Sequence, residues 1–168
     1  PVYLRFGKAP MPSIHGSNAT FETDKAIVLR EGNDLAFIAT GETVVHALLA
    51  AGSLAELGVE CRVLSMHTVK PLDTNAVKEA GRGCGAIVTV EEHSVNGGLG
   101  EACAAVLLQA GVAANFQIVG FPDEDTVTGS QADIFRHYGI TMEGLTRTAL
   151  EVLKRSPSSP AARSSFIP

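Results

Sequence analysis

The chain has 168 residues, a formal net charge of −5, and 45% apolar against 18% charged residues. These proportions are those of an ordinary globular domain, and the acidic balance argues against a nucleic-acid footprint. No apolar run approaches the roughly 18 residues that a membrane-spanning helix needs.

Pro1 to Arg5, "PVYLR", reads as the last strand of a preceding domain, and Gly7 to Thr23 has the Pro, Gly, Ser and Asn content of a linker. Residues 1–22 are therefore expected to be the end of a preceding domain plus a linker. The domain proper is expected over 23–155, and the Ser- and Pro-rich stretch 156–168 is predicted to be a disordered tail. With Pro rather than Met at position 1, the chain is expected to be a C-terminal piece of a longer polypeptide.

"KAIVLREGNDLAFIAT" predicts two short strands around a Glu31-Gly32-Asn33-Asp34 turn. A helix pattern runs from Glu42 to about Leu57 and stops at Gly58. "CRVLSM" is an apolar strand, Asn75 to Arg82 a short helix, and "GAIVTVE" the next strand. Leu99 to Gln109 is predicted as a helix ended by Gly111, and "NFQIVG" as another strand. Gln131 to His137 and Met142 to Lys154 close the chain as two helices, the second behind the cap residue Thr141. Strands alternating with helices imply parallel pairing through crossovers. The runs Val63-Leu64, Ala86–Val90 and Ile118-Val119 have the uniform apolarity of strands buried on both faces. The first strand, joined to the second by a tight turn, is expected to be antiparallel at an edge. The expected fold class is thus α/β: a three-layer α/β/α Rossmann-like domain with a short, mostly parallel mixed sheet.

In such sheets ligands and partners meet the carboxyl ends of the strands. Here those ends are Thr40–Glu42, His67–Asp73, Glu91–Gly98 and Phe121–Asp125. The richest is "IVTVEEHSVNGGLGEACAAVL". Its glycines precede a helix start, where free N–H groups can hold an anion. A dinucleotide fingerprint requires G-x-G-x-x-G directly after the strand. Six residues separate Glu91 from Gly98, and Cys103 fills the third glycine slot, so the fingerprint fails. A plainer expectation is that Asn96 and Gly97 cap the helix and Gly100 admits close packing against the sheet. Glu91, Glu92 and His93 have the residue types of an acid/base cluster. Successive strand residues face opposite ways, however, so only Glu91 and His93 share a side. Contact with a neighbouring domain or subunit is the favoured role of this trio. His46, inside a helix, is expected at the surface or in packing rather than as a ligand, while His67 and Lys70 stand where a polar contact can form. The three cysteines, Cys61, Cys84 and Cys103, form no C-x-x-C and fit neither a disulfide scaffold nor a zinc site. They suit a reducing cytoplasm.

"AFIATGETV", "VLSMHTVKPLD" and "TVEEHSVNGGLGEACAAVL", in that order, resemble the C-terminal domain of the transketolase family of thiamine diphosphate enzymes. "PVYLRFGKAP" resembles the end of that family's pyrimidine-binding domain, and "GSQADIFRHYGITMEGLTRTALEVL" its closing helices. The E-E-H-x-x-x-G-G-L-G form is closer to the small subunit of split transketolases than to full-length ones. The resemblance implies transfer of a two-carbon ketol unit between sugar phosphates, with thiamine diphosphate and Mg²⁺ held by other domains. No "GDG" of the family's cofactor motif occurs here, so the chain is expected to carry no catalytic residue, to bind no metal or cofactor by itself, and to be inactive alone. Arg5 matches the family's arginine for the substrate phosphate. His67, Asp73, Glu91, Glu92, His93, Gly97 and Gly98 are expected at or just behind an interface. The implied partners are the remaining transketolase domains or a large subunit, as a homodimer or heterotetramer. The alternatives are a 1-deoxyxylulose-5-phosphate synthase, a 2-oxoacid dehydrogenase E1 β subunit, or a free-standing α/β binding module.

Overall fold

The structure, a computed structural model, describes residues 1–4 and 10–155. Arg5 and the tail 156–168 lie outside the described residues. The elements run β1 (Ile27–Arg30), β2 (Leu35–Ala39), α1 (Thr43–Glu56), β3 (Cys61–Ser65), α2 (Thr74–Gly83), β4 (Ala86–Ser94), α3 (Leu99–Gln109), β5 (Asn115–Phe121), α4 (Gln131–His137) and α5 (Met142–Lys154). The sheet order is β1-β3-β2-β4-β5. β2 pairs in parallel with both β3 and β4, β4 pairs in parallel with β5, and β1 alone is antiparallel. The fold is the α/β class that the alternation of elements predicts.

Strand periodicity divides the core in two. Leu35, Phe37 and Ala39 face one layer, where Ala47 and Leu54 of α1 and Leu145 and Val152 of α5 cover them. Ala36 and Ile38 face the other, beneath Val77 of α2 and Leu99, Cys103 and Leu107 of α3. Every β2 side chain is 0% exposed, which is why this strand shows no polar alternation. Burial of this kind contributes about 25 cal/mol per Å² of apolar surface and is the main term holding the three layers together.

Two expectations about the strands are corrected. β1 is an antiparallel edge strand, but its partner is β3 and not β2. The turn between β1 and β2 climbs over the start of β3. A Cβ on Gly32 would lie 2.4 Å from the Cys61 carbonyl carbon and 2.6 Å from the Glu60 carbonyl. Only a residue without a side chain passes there, and the chain emerges on the far side of β3. The Asp34 carboxylate then accepts the Glu60 N–H at 2.7 Å and fastens the crossing. β5, secondly, is the other edge, so Ile118 is half-buried rather than covered on both faces.

Among the described residues no helix is long and apolar enough to cross a membrane.

Candidate functional site at the carboxyl edge of the sheet

β2, β3, β4 and β5 run in one direction, so their carboxyl ends form one edge. The hydroxyl of Thr43, the first residue of α1, lies 2.8 Å from the Thr40 carbonyl and 2.9 Å from the Val90 carbonyl. It ties the ends of β2 and β4 to one helix start.

Glu91 continues β4 and is 1% exposed. Its carboxylate accepts the Leu99 N–H at 2.8 Å and the Gly100 N–H at 2.8 Å. These are two of the unpartnered donors at the start of α3, and the positive end of the helix dipole lies there too. The local backbone is shaped around this group. A Cβ on Gly98 would lie 1.9 Å from a Glu91 carboxylate oxygen, and one on Gly120 would lie 3.1 Å from the Glu91 Cγ. The expectation that Asn96 and Gly97 cap α3 is therefore corrected. Gly98 holds the cap position with no side-chain cap bond, and the capping group comes from the preceding strand. Gly100 does admit close packing, since a Cβ there would meet the Ile118 side chain at 2.5 Å.

The Glu91-Glu92-His93 trio disperses. Glu92 turns to the opposite face and accepts a hydrogen bond from the Gln131 amide at 3.0 Å. His93 is exposed, and its Nδ1 donates to the Ser94 carbonyl at 2.9 Å. The β4–β5 register also shifts between Val90 and Ser94, which ends the simple alternation. Past the shift the Val95 N–H donates to the Phe121 carbonyl at 2.8 Å, so the two loops leave the sheet as one lip. Gly97 is exposed on that lip, and its N–H donates to Glu101 at 2.7 Å. Gly98 is buried beneath it.

Asp73 and His67 lie at the end of β3. Asp73 caps α2 through the Ala76 N–H at 3.0 Å and also accepts the Ala26 N–H at 2.9 Å, which moors the start of β1. His67 Nδ1 lies 3.1 Å from the Thr68 hydroxyl, and the ring stands edge-on to Phe21, with centroids 5.1 Å apart. Phe21 in turn stands 4.9 Å from the His15 ring. The residues before the domain thus lie over this end of the edge. His46 packs edge-on against Phe135, and burial pushes its pKa down against the opposing pull of Glu143.

Chemically, the turn does not fit a diphosphate. The N–H groups that would receive one are already bonded to a carboxylate, whose charge repels an anion. Among the described residues no group of three or more His, Cys, Asp or Glu side chains is placed to hold a metal ion. The cysteines are free and buried. Burial pushes the Cys61 and Cys103 thiols up to about 12, which keeps them protonated and unreactive at neutral pH. The sequence signals missed the Gln131 side chain, which also donates to Glu42 at the start of α1.

The transketolase C-terminal domain model matches residues 24–145. The chain belongs to that family. It is 44% identical over 156 residues to one subunit of the apulose-4-phosphate transketolase of Phocaeicola vulgatus, covering 92% of this chain and 49% of that one. It is 36% identical over 155 residues to the 1-deoxy-D-xylulose-5-phosphate synthase of Thermomicrobium roseum, covering 91% of this chain and 25% of that one. Among solved structures, a split gene transketolase described as an inactive beta4 tetramer superposes with a TM-score of 0.76 at 33% identity, over 85% of this chain and 46% of the other. The chain spans about half the length of the Phocaeicola relative.

Proposed function

We propose that this chain is the C-terminal, assembly-forming portion of a thiamine diphosphate-dependent transketolase of the split kind, which moves a two-carbon ketol unit between sugar phosphates. The observation that carries this reading is the family match over residues 24–145, on a domain whose glycine-rich start of α3 is filled by its own carboxylate. On this reading the chemistry is done by other domains. Thiamine diphosphate and Mg²⁺ belong to the other domains, and the cofactor supplies the carbanion chemistry when bound. This chain contributes the carboxyl edge. His67, Asp73, Glu92, His93 and Gly97 form or support a contact with the neighbouring domain or large subunit, and Glu91 and Gly98 hold that contact in shape. Arg5 is assigned to the phosphate of the sugar substrate, since a guanidinium fork suits a phosphate. The complete enzyme is a cytoplasmic homodimer or heterotetramer.

A calorimetric titration with thiamine diphosphate and Mg²⁺ tests this. The full-length subunit with its partner is expected to bind the cofactor and transfer ketol units, and deletion of residues 23–154 is expected to abolish both. Saturable cofactor binding by residues 1–168 alone, or full activity after the deletion, overturns the reading. The likeness to the Thermomicrobium synthase supports one other reaction, in which pyruvate is the donor. Pyruvate consumption in place of ketose-phosphate cleavage distinguishes it.

A further inference from the structure

Three elements that are distant in sequence meet at one side-chain amide. Gln131 opens α4, Glu42 sits at the start of α1, and Glu92 lies near the end of β4. The Gln131 Nε2 donates to both carboxylates, one hydrogen to each. Both donors of the NH2 group are thereby used, and the two carboxylates share a neutral crosspiece. Such a bridge has a strict chemical requirement. Two like charges that approach one another need a donor between them, and any acceptor placed there would be repelled.

The bridge lies at one end of an exposed loop. Residues 123–130 are all exposed. Before them, the loop is held by the bond from Val95 to the Phe121 carbonyl. After them it is held by α4, which Phe135 seats in the core against His46 and whose first residue, Gln131, is hydrogen-bonded to Glu42 and Glu92. We propose that Gln131 is a positioning residue for assembly: it fixes the 122–130 loop at the carboxyl edge, where the neighbouring domain docks. The inference rests on the reading of that edge as an assembly surface, and it adds the residue that sets the geometry of the edge. The ionisable groups around the bridge are Glu42 just before α1, His46 of α1, Glu92 of β4, and Arg136 of α4, with Asp133 engaged by Arg136 at 2.9 Å and Glu143 of α5 acting on His46. Arg136 is turned to solvent and paired with Asp133, and burial pushes the His46 pKa down against the opposing pull of Glu143. The amide is the group hydrogen-bonded to both carboxylates.

The test uses the full-length subunit with its partner chain. Gln131→Glu changes little in volume but places a third carboxylate between two. Assembly is expected to weaken about tenfold near pH 7.5 and to recover near pH 5, where crowded carboxylates take up a proton. Gln131→Ala removes the donor without adding charge and leaves Glu42 and Glu92 facing one another, so a smaller loss, also eased near pH 5, is expected. A purely space-filling role would give no such split. If Gln131→Glu assembles like the parent protein near pH 7.5, or weakens equally at both pH values, the proposal is overturned. Side-chain amide exchange of Gln131 in the unmodified protein separates the two levels. Fast, free exchange overturns the bridge itself whatever the enzyme does. Slow exchange with no ketol transfer leaves the bridge standing and removes the functional reading beneath it.

Discussion

Two kinds of helix start coexist in this domain. α4 and α5 are capped from within. The Ser130 hydroxyl accepts the Asp133 N–H, and the Asp133 carboxylate accepts the Ser130 N–H in a capping box. The Thr141 hydroxyl accepts the Gly144 N–H. α3 has no such residue, and its first donors are met by Glu91, eight and nine positions earlier on β4. A local cap stabilises one helix. A cap sent from a strand also fixes how strand, turn and helix sit together, so its loss reaches the whole lip at the carboxyl edge. The α3 start should therefore fail harder than the α4 start when its cap is removed.

Glu91→Ala carries the largest expected effect. It leaves the Leu99 and Gly100 N–H groups buried without an acceptor, each costing about 1–3 kcal/mol, so a loss of about 3 kcal/mol is expected in denaturant unfolding. Hydrogen exchange should rise at residues 92–100 more than elsewhere. A loss within a few tenths of a kcal/mol would mean that water or another group takes over the cap, and the contrast with α4 would collapse.

Gly98→Ala sharpens the same contrast. Its Cβ would stand 1.9 Å from the Glu91 carboxylate, so one of them must move. The single substitution is expected to cost about 2 kcal/mol, as overpacking does. In a Glu91→Ala background the obstacle is gone, and the same substitution should cost little. A double-mutant cycle should thus give a coupling of about 1–2 kcal/mol. Additive losses would show that Gly98 is needed for its backbone and not for the carboxylate.

This contrast also explains what the sequence could tell. α3, α4 and α5 begin and end where periodicity and cap residues place them, at Leu99–Gln109, Gln131–His137 and Met142–Lys154. Gly58, Gly111 and Gly139 all take the positive φ that ends a helix. These signals are local, and local chemistry is written in adjacent residues. The partner of β1 was not legible, because it depends on where the β2-α1-β3 crossover lays β3. Nor was the Glu91 cap, since cap rules look within one turn of the helix. Gln131 lies 89 positions from Glu42 and 39 from Glu92, and nothing in "GSQAD" announces either contact. The family motif presents "EEH" as a unit, but the strand separates it. One glutamate goes under the turn, the other to the opposite face, and the histidine to solvent.

The smallest expected effect falls on the local cap. Ser130→Ala should cost about 1 kcal/mol, within the range for exposed N-caps. It should also leave a signature that Glu91 variants lack. The Ser130 hydroxyl, followed by the Arg136 guanidinium, holds the Asp133 carboxyl below its ordinary range. A carboxyl lowered on folding stabilises above its ordinary range, and that stability is lost as pH falls through the lowered value. In Ser130→Ala the Asp133 titration, followed by carboxyl carbon shifts, should move up towards the ordinary value, and the acid limb of stability should flatten accordingly. The lip residues 92–100 should keep their exchange rates throughout. If they loosen as well, α4 and α3 are not independent, and the Gln131 bridge carries the disturbance from one helix start to the other.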